Sequence, residues 1–128
     1  MLSEIKNEKD IQIFIEKTNS LHDGQLISSV YTDNGVEKIG DKYWFSTSMT
    51  ELTLRVLVTS LQNTTVVIKF EDLIDWQLKK SSSYLFGITL SFDGQGHIVW
   101  SDGIWKDQKE LERHSFVIAK SMKWRIEG

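Results

Sequence analysis

Three groups of residues in this chain have types that could do chemistry. The first is His22–Asp23, in the stretch SLHDGQLISSVY, a histidine beside a carboxylate just ahead of a strand-like segment. A carboxylate assists a histidine base only when it can orient the ring. Neighbours on a strand point to opposite faces, and on a helix they diverge by about 100°. The spacing therefore favours a turn over a dyad. Asp23-Gly24 is itself a turn signal, because an aspartate oxygen can bond the backbone two residues on. His22 falls near the negative end of a preceding helix. His22, Asp23 and Gly24 are accordingly assigned as a structural turn. The other histidines, His97 and His114, stand far away in sequence, without HxH or HxxxH spacing and without cysteines to assist, so no metal site is expected. DGQGH at Asp93–His97 is too short and too poor in acids for a calcium loop. There is no GxSxG and no glycine-rich phosphate loop. No catalytic residue is assigned and no cofactor is expected.

The second group interleaves tryptophan with carboxylate. HIVWSDGIWKD sets Trp100 and Trp105 among Asp102 and Asp107, and DLIDWQL sets Trp76 beside Asp75. Aromatic rings with carboxylates near loops suit a carbohydrate platform or a protein partner with basic residues. Trp100, Asp102, Trp105 and Asp75 are the candidate binding residues. Trp76 and Trp124 sit in phase with apolar neighbours and read as core, and Trp105 is expected to be the exposed ring.

The third group is a pair of phase breaks. In FEDLIDWQL the apolar phase runs Phe70, Ile74, Trp76 and Leu78, and Asp72 falls on it. In the last strand Lys120 falls between Ile118 and Met122 in the same way. A buried charge is tolerated only when paired. Asp72 and Lys120 are therefore a candidate inward polar pair, set against a bulge at Asp72 and a lysine stem reaching the rim.

These residues need elements to hold them. NEKDIQIFIEKTN places Ile11, Phe14, Ile15 and Thr18 at helical spacing, with Asn7 as N-cap and an end near Asn19. Thereafter the period is two. ELTLRVLVTS, TTVVIKF, YLFGITLSFD and the segment from Phe116 to Glu127 each alternate apolar and polar residues. One-sided alternation predicts antiparallel strands with one face on a core. LQNTT and FDGQGHI read as hairpin loops and DNG at Asp33–Gly35 as a turn. DQKE resembles a capping box, with Asp107 capping a short helix that runs to about His114. The predicted fold is α+β and mainly β. A curved antiparallel meander sheet carries the N-terminal helix on one face, with a short helix before the last strand.

The 128 residues suit one domain, spanning 1–128. An apolar fraction of 40% and a charged fraction of 26% mark a globular chain. The net charge of −3 and the lack of a basic stripe argue against nucleic acid. The opening MLSEIKNEKD has no apolar core, and no run approaches the roughly 18 apolar residues of a membrane span. A cytoplasmic protein without membrane contact is expected, and the absence of cysteine suits a reducing compartment. Proline is absent as well, which removes one means of protecting sheet edges.

LHDGQLISSVY, LTLRVLV, VVIKFEDLIDWQL and the closing FVIAKSMKWRI together resemble a group of small bacterial β-rich proteins. In these a helix leads to an H-D-(S/G) turn and a strand, and the chain ends on a strand bearing a tryptophan. Many are uncharacterised, and some are immunity proteins of toxin systems. The resemblance spans most of the chain, with Gly24 where serine is commoner. It implies a binding protein and carries over no catalytic residue. The leading expectation is a non-catalytic protein-binding module, an immunity protein whose acidic, tryptophan-bearing surface caps a basic toxin site. One alternative is a small-ligand or carbohydrate binder in the concavity of the sheet. Another is an enzyme using His22 or His97 with a carboxylate brought near by folding. An exposed strand edge would also favour a homo-oligomer.

Overall fold

The computed structural model describes residues 1–45 and 49–127, without the side chains of residues 45, 81 and 82. Its first long element is the helix α1 (Glu8–Thr18), preceded by a short strand β1 (Ser3–Glu4). Asn7 caps α1, its Oδ1 accepting the Asp10 amide at 2.9 Å, and Asp10 reaches back to the Lys6 amide at 2.9 Å. Ile11, Phe14 and Thr18 are buried as the spacing predicts, while Ile13 faces outward. A left-handed Asn19 ends the helix, its amide bonding the Glu16 and Ile15 carbonyls. The Asn7→Ala variant is expected to lose about 1 kcal/mol of stability. A urea titration reads this as a lower midpoint at unchanged slope; an unmoved midpoint would contradict the role of the cap.

The strands are β2 (Gly24–Asp33), β3 (Val36–Ile39), β4 (Lys42–Phe45), β5 (Thr50–Val58), β6 (Thr64–Gln77), β7 (Tyr84–Leu85), β8 (Thr89–Phe92), β9 (Ile98–Ser101) and β10 (Phe116–Glu127). The helix α2 (Gln108–Leu111) precedes β10. One antiparallel sheet runs β7-β2-β5-β6-β10-β9-β8, with β1 on β10, and β3 and β4 form a separate two-stranded sheet. Two meander runs, β2-β5-β6 and β8-β9-β10, thus meet where β6 pairs with β10.

β7 and β8 lie at opposite ends of this order, yet only residues 86–88 separate them in the chain. Leu85 and Thr89 are four chain steps apart, a reach of about 14 Å at most, so the two edges must be close there. The sheet is therefore curled into a half-barrel around its apolar face. Phe14 of α1 fills that concavity and meets Trp124 edge to face, with ring centroids 5.2 Å apart. Leu52, Leu54, Ile68, Phe70 and Met122 complete its floor.

YLFGITLSFD is not one strand. It breaks at Phe86–Ile88, where Gly87 has φ +153°. Leu85 is buried while Tyr84 and Phe86 face solvent, so the alternation there runs in the opposite phase to Ile88. The break is what lets the chain pass from one sheet edge to the other. Asp107 caps α2 as expected, its Oδ1 accepting the Glu110 amide at 2.9 Å, but Glu110 Oε2 accepts the Lys106 amide at 2.9 Å rather than the cap's own amide, so the box is only half formed. The helix it opens is shorter than its sequence suggests and stops at Leu111. Among the described residues no helix is long and apolar enough to cross a membrane.

Candidate functional site

The half-barrel leaves one element unburied. Between β2 and β5 the chain leaves the main sheet as the hairpin β3–β4. Gly40 and Asp41 form its two-residue turn, with Gly40 at φ +64°. Asp33 launches it, its Oδ1 accepting the Gly35 amide at 2.9 Å. Cross-strand pairs share a face. Lys38 and Tyr43 share one, with Val36, and the ammonium of Lys38 lies 5.9 Å from the Tyr43 ring centroid. Glu37 and Trp44 share the other, with Ile39. Val36, Ile39, Tyr43 and Trp44 are all exposed, Trp44 by 58%. An isolated two-stranded hairpin is marginal in water, and this one exposes apolar side chains on both faces. At its base a depression of about 240 Å³ is lined by Asn34, Met49, Thr50, Glu51, Glu71 and Asp72.

The outer face of the main sheet is charged. Register sets Glu51 opposite Glu71, Lys69 opposite Lys123, and Arg55 and Arg125 on either side of Val67. Like charges directly opposite repel, and the ion pairs run between rows to offset this. Lys69 meets Glu51 at 3.4 Å and Lys123 meets Glu71 at 2.8 Å. Arg55 and Arg125 both hold Glu127, at 2.5 and 2.9 Å. The hydrogen bond to Glu71, with its charge, raises the Lys123 pKa. The hydrogen bond from Arg55 lowers that of Glu127, against a smaller opposing effect of desolvation. Lys123 and Arg125 thus belong to a neutralised network, and neither is a free cation.

The candidate binding residues do not converge. Trp100 points into the core, 1% exposed, edge-on to Phe70 with centroids 6.3 Å apart. Its buried Nε1 has no hydrogen-bond partner among the described residues, at a cost of about 1–3 kcal/mol. Trp105 packs on the opposite side of the sheet against Val99, Leu111 and Phe116. It is half-buried, and the exposed tryptophan is Trp44, which the sequence reading did not single out. Asp102, just after β9, is tied to the residue before β10, accepting the Ser115 amide at 3.0 Å. Asp75 is exposed and accepts the Trp76 amide at 2.9 Å. The ring of Trp76 stacks on Tyr31, 5.5 Å between centroids and 24° between planes.

Asp72 and Lys120 do lie opposite one another, between the pairs Glu71–Ser121 and Leu73–Ala119. They are not an inward pair. Both strands change phase there together: Phe70 and then Leu73 face the core on β6, and Met122 and then Ala119 face it on β10. Asp72 absorbs the change at φ 57°, and a further register shift follows between Ile118 and Ala119. Lys120 is exposed and no ion pair joins the two. Ile118, expected on the same face as Met122, instead packs in the second cluster with Val99 and Phe116.

Each histidine meets a carboxylate, though none at hydrogen-bond distance. His22 Nε2 lies 3.6 Å from Asp23 Oδ2, closer than the sequence argument allows, because Asp23 is left-handed at φ 56°. His22 Nδ1 donates to the Phe86 carbonyl, and Tyr84 Oη lies 3.4 Å from Asp23 Oδ1. The Ile88 amide bonds the Ser20 carbonyl at 3.0 Å. This turn is a latch between the chain entering β2 and the crossing to β8. His97 Nδ1 is 3.4 Å from Asp93 Oδ2 across the β8–β9 loop. Desolvation raises the Asp93 pKa, but the His97 and Gln95 amides and the His97 ring outweigh it and leave the carboxyl below its usual value. His114 Nδ1 is 3.7 Å from Asp102 Oδ1. Among the described residues no three histidine or acidic side chains gather to hold a metal.

No family model matches the chain, and neither a curated protein nor a solved structure is similar to it.

Proposed function

We propose that the chain is a non-catalytic protein-binding module, and that its partner is a toxin, as for the immunity proteins its sequence resembles. The observation that carries the reading is the β3–β4 arm, which exposes apolar side chains on both faces beside Glu37, Lys38 and Lys42. Tryptophan and tyrosine dominate the energetics of protein interfaces, and charges around them set partner choice. The net charge of −3 favours a basic partner through long-range steering. The carboxylates Asp93 and Asp102 and the ring of His22 each bond backbone groups that hold loops and strand ends together, which suits a scaffold role.

The test is coexpression with the toxin candidate from the adjacent reading frame, scored by cell survival and by copurification. Protection and a stable complex are expected. The Trp44→Ala variant should weaken the complex by about 30-fold or more, a loss on the order of 2 kcal/mol at a central aromatic. Its circular dichroism should be unchanged, since Trp44 supports no core. Absence of both protection and complex formation would sink the reading. Full binding by Trp44→Ala would remove the arm from it.

A further inference from the structure

We propose that two copies of this chain pair through the exposed half of β2, as an antiparallel two-fold dimer. β7 and the turn of residues 80–83 follow β2 only over its beginning, with β7 paired to Gly24 and Gln25. Ser29, Val30, Tyr31, Thr32 and Asp33 are all exposed and, among the described residues, have no strand on their outer side. Edges are ordinarily blunted by charge, proline or a bulge. Here the bulge lies further back, at the register shift between Leu26 and Ser28. Ser29–Thr32 carries no charge and no proline.

The occupant follows from symmetry and side-chain chemistry. A two-fold axis relating neighbouring antiparallel strands stands perpendicular to the sheet, so residues that oppose one another must share a face. With the axis at Tyr31, the ring opposes its own copy. Val30 opposes the partner's Thr32, and Ser29 opposes the partner's Asp33. The first is a β-branched pair and the second places a hydroxyl donor against a carboxylate. No like charges face each other. The contact also closes: each copy spends its longest open edge, and the opposite edge strand, β8, has only four residues.

The area is modest. Tyr31, Tyr43 and Trp44 are each about half exposed, which leaves on the order of 100 Å² on each ring to be covered. Val30, Val36 and Ile39 are similarly open. The arm leaves β2 after Asn34 and Gly35, so a copy seated on β2 also meets the arm. One copy can cover only one face of the arm, so the contact stays below the roughly 800 Å² per partner of a standard interface and is held mainly by main-chain pairing along β2, leaving the arm's other face for the partner proposed above. Because each copy carries net charge −3, added salt should strengthen the dimer by screening their repulsion.

Sedimentation equilibrium of the full chain at micromolar concentration tests the proposal, with Val30→Lys and Val30→Glu as variants. Val30 is 56% exposed, so both should keep the parent's circular dichroism. The parent should be dimeric, and each variant should dissociate on the order of 10-fold more readily, since it loses the pair with the partner's Thr32 and the two position-30 side chains, diagonal neighbours on one face, then carry like charges. Mixing the lysine and glutamate variants should restore a dimer, which a contact between unlike surfaces would not predict. A monomeric parent, a dimer indifferent to both substitutions, or mixed variants that stay monomeric would each overturn it.

Discussion

Phe14→Ala is expected to cost about 3–5 kcal/mol, the range for truncating a fully buried phenylalanine. Native domains are stable by only about 5–15 kcal/mol, so the variant should sit near the edge of folding. Phe14 is 0% exposed and is the side chain through which α1 meets the concave face. Removing its ring deletes the edge-to-face contact with Trp124 and opens a cavity that the curled sheet cannot close without moving strands. A fall of roughly 10–20 °C in melting temperature is expected for a chain of this size. Ile13→Ala, one residue away on the outward side of the same helix, should change stability by no more than about 0.5 kcal/mol. Equal effects at the two positions would mean that α1 does not dock as described.

That contrast can be read in the sequence, and the reason is physical. α1 obeys local rules: an asparagine cap, a 3.6-residue stripe, a left-handed terminator. The hairpin loops LQNTT and FDGQGHI are equally local. The β3–β4 arm escapes because period-two analysis detects a difference between faces, and VEKIGDKYWF has none. Val36 and Tyr43 face one way and Ile39 and Trp44 the other, each beside a charge. The available signal was Gly40-Asp41, a two-residue hairpin turn between β-prone segments. The phase breaks at Asp72 and Lys120 are visible in each strand alone. That they face each other and cancel as one shared irregularity depends on the β6–β10 register, which links residues about 50 apart. The passage from β7 to β8 is hidden for a similar reason: local alternation cannot show that two consecutive strands lie on opposite edges.

Gly24 carries the second large effect. The backbone after His22–Asp23 has room for glycine alone. A Cβ on Gly24 would stand 2.6 Å from the Leu21 carbonyl oxygen and 2.8 Å from Val56 Cγ1. Neither can yield easily. The first is backbone under a fully buried Leu21, and Val56 is fully buried on β5. Gly24 is also held from both sides, paired to Val58 and to Leu85. Forcing the Leu21–Gly24 turn open would strain the Ser20–Ile88 and His22–Phe86 hydrogen bonds that draw the two sheet edges together. Gly24→Ala and Gly24→Ser are therefore both expected to cost about 3 kcal/mol, the upper part of the usual overpacking range. Chemical denaturation measures the loss. Val56→Ala should recover part of it, because it removes one of the two clashes and leaves the Leu21 carbonyl in place. The double variant should then be more stable than the sum of the single effects, a coupling that a double-mutant cycle isolates. Strict additivity would show that the Gly24 Cβ is accommodated without touching Val56, and a Gly24→Ser protein as stable as its parent would show that the latch has room for a side chain.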